Sequence, residues 1–158
     1  MYRSATRTRT CGTYSAGGLD GRSHERVGGR PVSALTTGEI AERYLGSLVH
    51  GAGPAPEIFA QQVRLWWNVR PDGHSIDGDQ FAAALAAGHP PQDMPDYRLE
   101  VESCRTMPTG FIVGLAVKGT PAGFTEQAAH VCQIVTVEAG LIVGWEEYLD
   151  TAQHEPFH

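Results

Sequence analysis

The chain has 158 residues, 41% hydrophobic and 19% charged, with a formal net charge of −6. That size and balance fit one globular domain with a single sizeable core. No apolar run approaches the ~20 residues that cross a bilayer, and the opening residues lack the apolar stretch of a secretory signal, so neither a membrane partner nor export is expected and the location expected is cytoplasmic.

The charge is unevenly spread. Residues 1–36 carry six Arg against Asp20 and Glu25, whereas the remainder carries six basic and sixteen acidic groups. A folded part so acidic repels phosphates, and nucleic acid is not an expected partner. Cys11, Cys104 and Cys132 are an odd number without metal-like spacing and fit reduced thiols.

Residues 1–36 are rich in Thr, Ser, Gly and Arg without apolar periodicity, and read as a disordered basic tail. Thr36-Thr37-Gly38-Glu39 then matches a capping box. Ile40, Tyr44, Leu45 and Leu48 follow on helical spacing, ending near His50-Gly51. After Gly53-Pro54-Ala55-Pro56, a short turn or second helix through Phe59 leads to a strand over Val63–Val69. Arg70-Pro71-Asp72-Gly73 reads as a turn, and Ser75–Gly78 as a brief strand. Asp77 or Asp79 suits the cap of a helix containing Phe81 and Leu85. Strands follow at Tyr97–Thr106, Phe111–Lys118, Gln127–Val137 and Leu141–Leu149. Glu138-Ala139-Gly140 supplies the last turn.

Helices followed by antiparallel strands predict an α+β fold, a curved antiparallel (mixed) sheet wrapped around the N-terminal helices, with the domain at 37–152 and a tail at 153–158. The last strand carries an anomaly. Glu147 shares a face with Val143, Trp145 and Leu149, so a carboxylate interrupts an apolar row.

The element order, with the ending Val137-Glu138-Ala139-Gly140-Leu141-Ile142-Val143-Gly144-Trp145-Glu146-Glu147-Tyr148-Leu149-Asp150, resembles the nuclear transport factor 2-like superfamily. That group includes SnoaL-like polyketide cyclases, ketosteroid isomerases and limonene epoxide hydrolases. The resemblance implies a cone-shaped sheet, a deep apolar pocket inside the cone, a hydrophobic small-molecule ligand, chemistry without a cofactor, and a homodimer. Trp145–Asp150 is similar to the Trp-Arg-Asp-Tyr-Phe-Asp of limonene epoxide hydrolase, which puts Glu147 at that family's base. Trp66-Trp67-Asn68 is similar to its Tyr-x-Asn, with Asn68 matching and Trp66 replacing the tyrosine. Where that family keeps Arg-x-Asp, residues 114–118 read Gly-Leu-Ala-Val-Lys. Arg43-Tyr44-Leu45 resembles the Arg-Tyr-Val of ketosteroid isomerase, which makes Tyr44 an oxyanion donor. Asn68 and Cys132 fall where that family has Asp.

Strand parity places Trp66, Asn68, Trp145 and Glu147 inside the cone, with His130, Cys132 and Ile134 as further candidates. The expected catalytic set is therefore Glu147, Asn68, His130 and Tyr44, with Trp66, Trp145, Cys132 and Val143 binding substrate. A carboxylate among apolar walls gains a raised pKa suited to acid–base work. Asn68, Tyr44 or His130 would stabilise charge. Tyr44 also reads as a core residue with a satisfied hydroxyl, and His130 as a hydrogen-bonded structural one. His50, His74 and His89 lack ligand spacing, and Asp72, Asp77 and Asp79 do not follow a calcium-loop order, so no metal is expected.

Overall fold

The computed structural model describes residues 34–50, 53–87, 94 and 96–157, so nearly all of the expected basic tail lies outside the described residues. Helix α1 (Thr37–His50) begins at the capping box. The Glu39 N–H donates to Thr36 Oγ1 at 3.3 Å, and the Thr36 N–H donates to Glu39 Oε2 at 2.8 Å. Two of the helix's orphan donors are thereby satisfied. Its inner stripe of Ile40, Ala41 and Tyr44 is fully buried.

A 3-10 turn over Pro56–Ile58 leads into β1 (Phe59–Trp67), β2 (Arg70–Asp77), α2 (Gly78–Ala87), β3 (Arg98–Met107), β4 (Gly110–Gly119), β5 (Gln127–Glu138), β6 (Leu141–Leu149) and α3 (Thr151–His154). The strands form one open sheet in the order β2-β1-β6-β5-β4-β3. All neighbours are antiparallel except β1 and β6, which are parallel. Helix α1 packs on β3 and β4, and α2 on β1 and β2. The fold is the expected α+β one, with helices held in the concave face of a mixed sheet. Strand β6, last in sequence, sits between β1 and β5, so its inner face meets both halves of the core.

Bulges bend the sheet and reset its parity. In β6, Ile142 pairs with Val137 but Gly144 pairs with Thr136, which leaves Val143 as the extra residue. An inserted residue turns the side chains before it to the opposite face. Ile142 is therefore fully buried alongside Trp145, and Val143 sits half-buried at the bulge. Uninterrupted alternation had put Ile142 and Val143 the other way round.

Other local expectations also shifted. The turn expected at Arg70–Gly73 lies at Asn68–Val69, and Arg70–Asp77 is a strand. Pro71 and Gly73 are tolerated because β2 is an edge strand, where a missing donor breaks no inner ladder. The Asp77 carboxylate accepts from the Asp79 and Gln80 N–H groups at 3.0 and 3.2 Å and so caps α2. At the C-terminus, Asp150 caps α3, and Phe157 packs against the core, as does Leu35 just before α1. Cys132 is a free thiol, whereas Cys104 is disulfide-bonded, so the expectation of reduced thiols does not hold for Cys104. Among the described residues no helix is long and apolar enough to cross a membrane.

The β5–β6 turn has left-handed backbone at both central residues, with φ of 50° at Ala139 and 78° at Gly140. That is the type I′ geometry favoured in two-residue hairpins. A Cβ at Gly140 would lie 2.9 Å from the Leu35 backbone N and O, so only glycine fits there. Ala139 pays the left-handed strain without such a contact. Ala139→Asn should stabilise the fold by ~0.5–1 kcal/mol; a denaturation midpoint unchanged or lowered would show that the turn carries no strain.

Candidate active site

The inner face of the sheet is set by valines at every second position of β5. Val131, Val135 and Val137 are buried, and Gln133, at the same parity, is buried among them with 5% exposure. Across the ladder, Gln133 pairs with Glu147 and Val135 with Trp145. On β1 the buried residues are Phe59, Val63 and Leu65, and Trp67 continues the row of the last two. Tyr44 reaches the same place from α1, which packs on β3 and β4.

These residues meet in a chain of hydrogen bonds. The Trp145 Nε1–H donates to the Tyr44 hydroxyl at 2.9 Å. The Tyr44 hydroxyl donates to Gln133 Oε1 at 2.9 Å. Gln133 Nε2 donates to Glu147 Oε2 at 2.8 Å. Trp67 pairs with Glu147 across the β1–β6 ladder, and its indole beside the carboxyl favours the charged form. Trp145 is also the centre of an aromatic cluster, edge-on to Trp67 at 5.6 Å and to Phe81 at 5.5 Å.

Glu147 and Gln133 form the polar floor of a cavity of about 220 Å³. Its walls are mainly apolar, with Leu48, Leu85, Leu99, Leu115, Val117 and Val131 among them. Gly53, with φ of 70°, allows the chain before β1 to lie on α2 at the rim; a Cβ there would come within 2.3 Å of the Ala86 Cβ. Drug-sized ligands occupy pockets of roughly 300–1,000 Å³, so this cavity suits a smaller guest.

Burial pushes the Glu147 carboxyl above its usual 4.5, and the Gln133 hydrogen bond and the neighbouring Trp67 indole oppose that rise. Burial also raises the Tyr44 phenol, which the Trp145 hydrogen bond counters and the Glu147 charge reinforces. Tyr97, a wall residue, is raised by burial and by the same charge. No Lys, Arg or His is among the described residues lining the cavity. Nor do three His, Cys, Asp or Glu among the described residues come together as a metal site would require.

Of the residues expected from sequence, Glu147, Trp145 and Tyr44 come together here. The others do not. His130 lies on the outer face, its side chain 57% exposed, with Nδ1 3.0 Å from Glu102 Oε2. It differs in parity from Gln133 by an odd number of residues, so it faces away from the cavity. Cys132 shares that outer face and pairs with Tyr148. Trp66 also points outward and packs on Tyr148 at 5.1 Å. Trp66 and Tyr148 flank an outer groove of about 420 Å³ lined by Arg64, His74, Thr136 and Glu146 as well. Asn68 lies in the turn after β1, where strand parity no longer applies. Its Nδ2 donates to the Leu149 carbonyl at 2.9 Å and its Oδ1 accepts from the Leu149 N–H at 3.1 Å, so it imitates one more β1 residue pairing with β6. Val143 is displaced by the bulge and is absent from the cavity wall. Gln133, Trp67 and Tyr97 were missed. The first two carried a signal: each lies at period two from a buried valine or leucine.

No family model and no curated protein matches this chain. Solved structures do match. A nuclear transport factor 2-like protein from Burkholderia thailandensis E264 aligns with a TM-score of 0.58 at 16% identity over 77% of this chain and 95% of its own. A SnoaL-like polyketide cyclase from Agrobacterium tumefaciens strain C58 aligns at 0.52 and 21% identity over 77% and 96%. An LEH-like epoxide hydrolase of M. tuberculosis aligns at 0.54 and 13% over 75% and 86%. The chain therefore has the cone-shaped α+β fold of SnoaL-like and nuclear transport factor 2-like proteins. At these identities the likeness concerns the fold, and the chemistry rests on this chain's own residues.

The raised Glu147 pKa has a stability consequence. A carboxyl whose folded value exceeds its unfolded one contributes stability that is fully present below about 4.5 and lost as pH rises through the folded value. Glu147→Gln cannot ionise and escapes that loss. Its stability relative to wild type should therefore improve from about pH 4 to about pH 8 in denaturant titrations; a pH-independent difference would contradict the desolvated carboxyl.

Proposed function

We propose that this chain is a small-molecule enzyme of the SnoaL-like type, an isomerase, cyclase or hydrolase that moves a proton on a small hydrophobic substrate without a cofactor. The observation that carries this reading is the Glu147 carboxylate, set in a mainly apolar cavity and held by the neutral Gln133 amide N–H. A group so placed is a general base: it takes a proton from an acidic C–H or from a water, and its conjugate acid returns the proton to product. The apolar wall excludes bulk water and strengthens each interaction within. Ser47 Oγ donates to the Tyr44 carbonyl at 2.6 Å, and the Tyr44 hydroxyl is engaged on both sides. The Tyr97 phenol also lines the cavity wall.

A second reading has an observation behind it. The buried Tyr44 hydroxyl is fully engaged and no basic side chain is among the described wall residues, which fits a ligand-binding domain without turnover. The two readings part on a simple probe. Cyclohexanone is small enough for the cavity, and its α-hydrogens exchange in heavy water only when a base removes them. Wild type should accelerate that exchange, followed by NMR, and Glu147→Gln should lower the acceleration by about 100-fold or more. Equal exchange in both proteins, with ketone binding retained, would favour the binding domain.

A further inference from the structure

We infer that Trp145, Tyr44 and Gln133 form a one-way hydrogen-bond chain that holds Glu147 as the carboxylate, making Tyr44 and Gln133 positioning residues for the base. This rests on Glu147 being the base and adds how its ionised state is favoured.

The direction follows from the chemistry of the two ends. An indole N–H only donates, so Trp145 must donate to the Tyr44 oxygen. Tyr44 has one hydroxyl hydrogen and is fully buried, and that hydrogen points to Gln133 Oε1. The Gln133 carbonyl is thereby occupied, and its amide nitrogen is turned toward Glu147 Oε2. A carboxylate accepts that hydrogen bond. A carboxyl protonated on Oε2 would confront an N–H donor, and one protonated on Oε1 would accept the same bond more weakly than the anion does.

Reversing the chain does not help. If the Gln133 amide flipped to accept from a protonated Glu147, its NH₂ would face the Tyr44 oxygen, which already accepts from Trp145. The Tyr44 hydrogen would then lose its acceptor inside the core. Trp67, paired with Glu147 in the β1–β6 ladder, carries an indole that can only donate and never accept from a protonated carboxyl. The titratable groups facing Glu147 are Tyr44 from α1 and Tyr97 from the segment before β3. The described wall residues from α2 and β4, Leu85, Ala86, Leu115 and Val117, are apolar. A neutral donor in fixed orientation, with no cation among the described wall residues, favours the anion.

The test is an NMR titration of the Glu147 side-chain carboxyl in wild type, Tyr44→Phe and Gln133→Met, with Thr36→Ala as a control that destabilises the fold without touching the chain. Tyr44→Phe frees the Gln133 amide to serve either protonation state, and Gln133→Met removes the donor, so the Glu147 midpoint should rise by about one unit or more in each. Thr36→Ala should leave it in place. If Tyr44→Phe unfolds, Gln133→Met alone decides. A midpoint unchanged in the folded chain variants, or shifted equally by Thr36→Ala, would overturn the inference. The base reading stands or falls separately. Should Glu147→Gln retain ketone exchange while the midpoints move as expected, the chain is real and the base is elsewhere.

Discussion

The Tyr44 hydroxyl must find both a donor and an acceptor, because it is sealed inside the core where no water reaches it. It finds them on β6 and β5, through Trp145 and Gln133. One group thus ties α1 to the two strands that form the pocket floor. Hydrophobic packing along Ile40, Ala41 and Tyr44 would hold α1 against the sheet at many rotations of comparable burial. The two hydrogen bonds select one of them, since a rotated α1 would strand a buried hydroxyl, an indole N–H and an amide. The same selection fixes the Gln133 amide, and through it the carboxylate.

The position of β6 makes this economical. Its parallel pairing with β1 and antiparallel pairing with β5 put Trp67, Glu147 and Gln133 side by side on three adjacent strands. Asn68 extends β1 by imitating a further residue of the ladder with β6. It contributes to the site by securing the strand ends, without touching the cavity. The bulge at Val143 has a similar role, since it lets Ile142 and Trp145 both face inward although they are separated by an odd number of positions.

Much of the fold was legible because its signals are local. The capping box at Thr36–Glu39, the Asp77 cap, the β-branched alternation of β5 and the hairpin glycine all act within a few residues, and each formed as read. The anomalous carboxylate in the row with Trp145 was legible for the same reason. The rest of the site depended on facing, which a bulge or a chain end overturns without changing composition. Trp66 was chosen over Trp67 by placing it in phase with Asn68, yet Asn68 lies in a turn and carries no phase. Counting instead from Val63 and Leu65 leads to Trp67. His130 and Cys132 drew notice as chemical residue types, although the valines beside them already marked the opposite face as buried. Gln133 stood in that valine row and was passed over because an amide has no acid–base chemistry of its own. Its importance is orientational, and orientation appears only once Tyr44, distant in sequence, is brought into contact.

A neutron diffraction structure of the deuterium-exchanged protein at neutral pH would test the central claim most directly, because it locates each exchangeable hydrogen of the chain. The account requires a deuteron on Tyr44 pointing to Gln133 Oε1, a deuterated Gln133 amide facing Glu147, and no deuteron on either Glu147 oxygen. A deuteron on Glu147 Oε2, with the Gln133 carbonyl turned toward it, would contradict the account.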